Sequence, residues 1–342
     1  MKSIIKILFV LALLVGAGAS YIYFGVFEQK INTGEKEEIY FYLKSNSSFD
    51  DLIDALVEDK IVSNKAGFAW LADLRHLKGN IYPGRYSLKS GMTWTELVLY
   101  LRQGKIDEVQ VTFNNVRTLK QLAKKVATQI EASEDDLLEQ LTNEEVIEER
   151  GYAKETFLAV FIPNSYKMYW NASAKEFVDR MVKEHKRFWN KSRLKKAKAL
   201  KLSPIEVSVL ASIVQSEQNR FPEEWPIIAG LYLNRLKKGM KLQSDPTVIY
   251  AWGDFTIRRV WNKHLTINNP YNTYKFTGLP PGPIRVPASG VLDAVLDYKK
   301  HKYIFMCANP KIGGKHAFAV SLRQHNANAA IYRAFMRKKK IK

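Results

Sequence analysis

The sequence predicts an α+β protein: an N-terminal single transmembrane helix, a small α/β module, and a larger mixed α+β domain. Three observations carry this. Ile7 to Phe27 is a run of 21 residues without a charge, enough at about 1.5 Å per residue to cross the roughly 30 Å hydrocarbon layer of a bilayer. The 315 residues that follow alternate short strand-like runs with helical periodicity. Their length suffices for two domains with cores of their own. Hydrophobic residues make up 46% and charged residues 25%, the balance of a folded chain rather than a disordered or collagen-like one.

Lys2 and Lys6 precede the apolar run. Basic residues on that side hold residues 1–6 in the cytoplasm and send the rest outward. The expectation is a single-pass protein of the inner (plasma) membrane, anchored by residues 7–27, with its bulk on the periplasmic or extracytoplasmic side. Ala17-Gly18-Ala19 also fits the small-residue pattern of a signal-peptide cleavage site. The apolar run continues for eight residues beyond Ala19, which favours an uncleaved anchor.

Residues 28–38 (EQKINTGEKEE) are polar and read as a linker. Residues 39–105 then form the module. Ile39 to Leu43 (IYFYL) alternates as a strand does. Phe49, Leu52, Ile53 and Leu56 share one helical face, and Ala66 to Leu77 is a second helix. Gly84 to Leu88 is another strand. Thr93 caps a helix to Arg102, with Glu96 three residues on, and Gly104 closes the segment.

Residues 106–342 form the larger domain. A strand from Val109 to Phe113 leads into a mostly helical stretch, interrupted by a loop at 161–166 (FIPNSY). Ser203-Pro204-Ile205-Glu206 is a helix start, with Ser as N-cap, Pro in the first turn and Glu three residues later. Val207, Leu210, Ala211 and Val214 form an apolar stripe on that helix. A second helix runs from Pro226 to Leu236, with Gly239 placed to end it. Ser244-Asp245-Pro246-Thr247 reads as a turn.

The net charge of +19 and a pI near 9.7 match the profile of a nucleic-acid binder. Its distribution argues otherwise. Between Arg180 and Lys201 there are ten Lys or Arg and one acid, and from Arg333 onward six more basic residues and no acid, so these stretches hold +15 of the +19. In an exported chain, acidic peptides or anionic lipid headgroups are the expected counterparts, not nucleic acid. A solvated helix face and a frayed end account for such runs equally well.

No GxGxxG, P-loop, HExxH or GxSxG motif is present. The six histidines lack ligand spacing and Cys307 is the single cysteine, so neither a metal nor a cofactor is expected. Glu217 is the residue with chemical promise. It falls in the last turn of the Ser203 helix, where the partial negative charge of the helix end disfavours an ionised carboxylate. Adjacent apolar surface pushes the same way. A carboxylic acid kept protonated is what a general acid at a glycosidic oxygen requires. An exposed acid at a helix end is the competing reading.

Ala211-Ser212-Ile213-Val214-Gln215-Ser216-Glu217, Leu233-Asn234-Arg235-Leu236, and Leu242-Gln243-Ser244-Asp245-Pro246-Thr247-Val248-Ile249-Tyr250 resemble the signature of the endolytic murein transglycosylases, the YceG-like family. Tyr271-Asn272-Thr273-Tyr274 with Gly278 to Ile284 (GLPPGPI) resembles its second block, and Gly313 to Phe318 through Asn326 its third. The resemblance implies a membrane anchor, a LysM-like module over residues 41–105, and a catalytic domain whose glutamate is Glu217. It departs at Gln215, where the family has an acid, and at Asn164, where it has an aspartate.

The implied activity is that of a lyase: cleavage of the MurNAc–GlcNAc bond within nascent peptidoglycan strands, leaving 1,6-anhydro-MurNAc ends. One acid suffices for this, because the sugar's own 6-hydroxyl is the nucleophile and a single residue acts first as acid and then as base. A hydrolase usually needs a second carboxylate, and Asp245 is the candidate for one. Asn234, Arg235 and Gln243 have side chains suited to sugar or stem-peptide groups, or to a buried network joining helix to loop. Tyr271, Asn272 and Tyr274 suit either a glycan groove or the core. His316 and His325 read as structural. Peptidoglycan is thus the expected partner, with synthases or elongation and division proteins implied by the family. A membrane-anchored glycan-binding scaffold without catalysis is the alternative.

Overall fold

The computed structural model describes residues 2–338. The chain separates into two compact units, the first comprising Met1–Val111, Gln129–Ala132 and Tyr166–Ser173, the second Thr112–Thr128, Ser133–Ser165 and Ala174–Lys342.

In the first unit, α1 (Lys2–Ile22) runs into a short π-helical segment, Tyr23–Phe27. Ser3–Phe27 has a mean hydropathy of 2.2 and no buried residues, so it is long and apolar enough to cross a membrane. Its last residue is docked. Phe27 meets the Trp70 ring edge-on at 5.8 Å, and its carbonyl accepts from Thr95 Oγ1 at 2.8 Å.

Beyond it lie β1 (Glu38–Leu43), α2 (Phe49–Glu58), α3 (Lys65–Leu74), β2 (Gly84–Lys89) and α4 (Trp94–Arg102). The two strands pair antiparallel, with Phe41 opposite Tyr86. Along β1, Phe41 and Leu43 point inward while Tyr40 and Tyr42 stay exposed, the period-2 pattern of a half-covered sheet. Capping boxes at Ser48/Asp51 and Thr93/Glu96 start α2 and α4. The α3 helix stops three residues short of Leu77, because His76 takes φ +58°.

The stretch read as a linker is partly built into this module. Trp94 N donates to Gln29 O (2.7 Å), Ile31 N to Met92 O (2.9 Å), and the Ile31 side chain is buried. β3 (Glu108–Phe113) and β4 (Asn164–Tyr169) pair as a separate two-stranded sheet. The segment expected to loop at 161–166 therefore ends in a strand. Tyr166 and Met168 alternate inward along it, and that periodicity outweighs the local Pro163-Asn164 turn signal.

The second unit carries α5 (Leu119–Ala127), α6 (Glu134–Thr142), α7 (Glu144–Glu148), α8 (Ala174–Phe188), α9 (Lys191–Leu200), α10 (Pro204–Glu217), α11 (Trp225–Lys237), α12 (Asp245–Trp252) and α13 (Ser289–Leu296). A hairpin of β5 (Phe305–Ala308) and β6 (His316–Ala319) precedes α14 (Leu322–Lys338). The core gathers around α10, every residue of which from Val207 to Gln215 is buried. Its serines return their hydroxyls to the backbone, Ser208 to Pro204 O and Ser212 to Val209 O. Polar residues are thereby tolerated inside the apolar cluster.

The basic run is partly spent on internal pairing. Arg193 grips Asp293 with Nε and Nη2 (2.7 and 2.9 Å), Lys196 reaches Asp297 at 2.7 Å, and Arg180 pairs with Glu184. The first two of these tie α9 to α13. Of the C-terminal basic residues, Lys339, Lys340 and Lys342 lie outside the described residues.

Packing is tight at Gly230 on α11, where a Cβ would lie 2.5 Å from Lys299 O and 2.8 Å from His301 Nε2. Gly230→Ala is expected to destabilise the protein by about 1–3 kcal/mol, seen as a lowered thermal midpoint. An unchanged midpoint would show that the 299–301 segment yields freely.

Candidate active site

α10 begins with the reciprocal Ser203–Glu206 capping box and Pro204 in its first turn, and ends at Glu217, with Gln218 as C-cap. Glu217 lines a cavity of about 470 Å³ together with Tyr232, Arg235, Gln243, Asp245, Tyr274 and the β5–β6 hairpin. Tyr232 of α11 donates its hydroxyl to Glu217 Oε1 at 2.7 Å, and Ser244, just before α12, does so at 2.5 Å. Both bonds fall on one oxygen. Oε2 carries no hydrogen bond from the described residues.

The Ser-Asp-Pro-Thr stretch starts a helix rather than standing as an isolated turn. Ser244 is the N-cap of α12 by backbone geometry, yet its hydroxyl makes no capping bond and goes to Glu217 instead. The lost cap, ordinarily worth about 1 kcal/mol, is offset by neighbouring bonds. Ser244 N donates to Thr273 Oγ1 (3.0 Å), Thr247 Oγ1 donates to Ser244 O (2.7 Å), and Gln243 N donates to Thr273 O (3.1 Å).

The Glu217 carboxyl is held above the ordinary glutamate range. Burial is the largest cause, opposed by the Ser244 and Tyr232 hydroxyls and by His316, and reinforced by the charge of Asp245. Burial outweighs the two hydrogen bonds because both come from neutral hydroxyls. Burial and the Glu217 charge likewise raise the Tyr232 phenol, so it remains a donor. Tyr274 donates to Asp245 Oδ1 at 2.6 Å, and its phenol too is raised, chiefly by burial.

Other sequence candidates fall elsewhere or serve the frame. Arg235 touches the cavity, but its guanidinium donates to Ile304 O, Lys241 O, Leu242 O and Gln243 Oε1 (2.7–3.2 Å), which commits it to holding the loop. Asn234 donates to His301 O and Tyr303 O and lines a different cavity. Asn272 is fully buried, donating to Leu265 O and Ile267 O. Tyr271 packs on Tyr250, with ring centroids 4.8 Å apart. These three do not line the Glu217 cavity. Gln215 Oε1 accepts from Ala288 N at 2.8 Å, so this amide pins α10 to the start of α13. Asn164 is exposed and accepts from the Ser165 N–H.

Reading the sequence missed Tyr232 and Ser244, while His316, read there as structural, bonds Glu224. His316 lines the cavity while its backbone N and Nδ1 both bond Glu224, at 3.0 and 2.8 Å. Because a carboxylate only accepts, Nδ1 is the protonated nitrogen. Glu224 also accepts from Gln218 Nε2 at 2.8 Å, and Gln218 is the C-cap of α10. Ser244 and His316 lie in blocks that drew notice, but no local pattern marks Tyr232, which meets Glu217 only through the packing of α11 on α10.

A family model described as the YceG-like family matches residues 41–331. The chain belongs to that family. It is 27% identical over 327 residues to the endolytic murein transglycosylase of Bacillus subtilis, covering 90% of this chain and 89% of that protein. It is 24% identical to the protein of the same name in Streptococcus pneumoniae D39, covering 96% of this chain and 64% of that longer protein. The crystal structure of a YceG-like protein from Listeria monocytogenes matches with a TM-score of 0.58 at 28% identity, covering 86% of this chain and 99% of that one.

The raised Glu217 carboxyl sets a pH dependence of stability. Its neutral form is favoured in the folded state, so its contribution is complete below the unfolded value and is lost as pH rises through the folded one. Glu217→Gln keeps an acceptor for Tyr232 and Ser244 and removes the ionisation. The thermal midpoint of the variant relative to wild type is expected to climb as pH rises from the ordinary carboxylate range toward neutrality. A difference independent of pH would contradict the raised value.

Proposed function

We propose that the chain is a membrane-anchored lytic transglycosylase that cuts peptidoglycan strands internally between MurNAc and GlcNAc, with Glu217 as general acid and then base. The observation that carries the reading is a half-buried carboxyl, favoured in its neutral form, bound through Oε1 alone and lining an open cavity. The relatives named endolytic murein transglycosylase supply the substrate class.

In this mechanism the proton sits on Oε2, because Oε1 already accepts two hydroxyl donors. Oε2–H protonates the glycosidic oxygen as the bond from the MurNAc C1 breaks, leaving an oxocarbenium-like centre. The resulting carboxylate is stabilised by Tyr232 and Ser244, whose dipoles already point at Oε1. It then takes the proton of the 6-hydroxyl as that oxygen bonds to C1. The 1,6-anhydro ring closes, Glu217 ends protonated, and no water is consumed. The β1–α2–α3–β2 order of the first unit, an antiparallel strand pair with two helices between, supports reading it as a LysM-like glycan-binding module. The N-terminal helix would keep the enzyme at the membrane where strands are made.

Asp245 favours a second reading, a glycoside hydrolase, since it places another carboxylate on the same cavity. Mass spectrometry of digested glycan separates the two, because an anhydro end is lighter than a reducing end by one water. Anhydro ends are expected from wild type, and Glu217→Gln is expected to lower cleavage by about 10²–10⁴-fold. Reducing ends would establish the hydrolase. A wild type that binds glycan and never cuts it would leave a scaffold.

A further inference from the structure

A second cavity, of about 270 Å³, opens beside the proposed acid and is lined by Asn115, Arg117, Ser216, Asn219, Tyr250 and Arg285, among others. Ser216 precedes Glu217 on α10, and Pro246, also in its wall, follows Asp245 on α12. The cavity thus sits one residue along from the catalytic one on two elements at once.

Arg285 is only 5% exposed. The chain on either side of it is fixed: Ile284 N donates to Ser212 Oγ at 3.0 Å and Val286 N to Val116 O at 2.8 Å. Its guanidinium donates to the Asn115 side-chain oxygen, while its buried Nε has no partner. Arg117 lies over the Phe255 ring, 4.9 Å from the centroid, and is close enough to Arg285 to depress its affinity for a proton beyond the effect of burial. No carboxylate among the described residues pairs with either guanidinium. Two like charges, one buried with an unused donor, are costly to hold together unless an anion joins them.

We infer that this cavity is an anion subsite that takes a carboxylate of the muramoyl stem peptide on strands presented to Glu217. The inference rests on the peptidoglycan reading, and it deepens that reading. Arg285 and Arg117 supply a planar, multidentate donor set suited to carboxylate. The peptide branches from the same sugar whose glycosidic bond Glu217 would cut. Sugar hydroxyls alone would give no reason to bury an unpaired guanidinium.

The test is calorimetric binding to the full-length chain in detergent, with N-acetylmuramoyl dipeptide as the probe. The probe holds no internal glycosidic bond, so the measurement stands whether or not the enzyme cuts glycan. Three ligands are compared at fixed ionic strength: the free-acid dipeptide, its amidated form, and inorganic phosphate. Wild type is expected to bind the free acid about tenfold more tightly than the amide. Arg117→Gln and Arg285→Gln should each bring that ratio close to one while leaving affinity for the amide unchanged. Arg117 is only half-buried, so its variant decides the matter if Arg285→Gln does not fold. Equal binding of acid and amide by wild type would overturn the subsite, as would a ratio insensitive to the folded variants. Phosphate that displaces the free acid at equal or lower concentration would replace a stem carboxylate with a phosphate ligand. Failure of glycan cleavage in the product assay counts against the proposed reaction instead.

Discussion

Three helices converge on one oxygen atom. Glu217 Oε1, at the end of α10, accepts from Tyr232 of α11 and from Ser244 at the head of α12. An acid inside a protein is tolerated only when its neutral form is favoured or its charge is satisfied. Here burial wins over the hydroxyls and the carboxyl is raised. The surrounding structure follows from that constraint. Ser244 gives up its capping bond, Thr247 and Thr273 take over the helix start, and Gln243 turns the chain at φ +51° so that its N–H reaches Thr273 O.

Arg235 performs the complementary task. A buried guanidinium with five donors needs many acceptors, and it finds them in three carbonyls and the Gln243 side chain. This bundles α11, the 241–243 loop and the residue leading into β5 into one wall. Charge elsewhere in the second unit is used in the same way. The basic run, conspicuous in sequence, commits Arg193 to an acid on α13 and Lys196 to Asp297, the residue that ends it. Arg117 and Arg285 have no acid partner among the described residues, and no run of basic residues advertises them.

What could be read from sequence follows the range of each interaction. The capping boxes at Thr93 and Ser203, the strands of the first unit and the end of α10 at Glu217 are set within a few residues, and they appear where their patterns place them. Elements decided by distant partners were not legible. The strand at 164–169 depends on pairing with 108–113, and the helix at Asp245 depends on the bonds to Thr273. Asn272 and Asn234 carry groups able to bind sugar, and only the fold shows those groups turned onto backbone carbonyls. The place of Glu217 at a helix end is a local feature, and the resemblance to the family is what set it apart from any exposed acid at such an end. Tyr232, its partner, lies fifteen residues away and had no pattern to betray it.

The two glutamates near the cavity are held by different kinds of donor. Glu224 accepts from a backbone N–H, from His316 Nδ1 and from Gln218 Nε2. Those bonds occupy both Glu224 oxygens and tie His316 to the end of α10. Glu217 is bound by hydroxyls alone, and both fall on Oε1. Hydroxyls can rotate and accept as readily as they donate, and Oε2 is left out of the network altogether. Gaining or losing a proton at Oε2 therefore costs no existing bond. The same carboxyl can serve as acid and, once deprotonated, as base without rearrangement of its supports. That chemical asymmetry, more than proximity to the cavity, is what singles out Glu217.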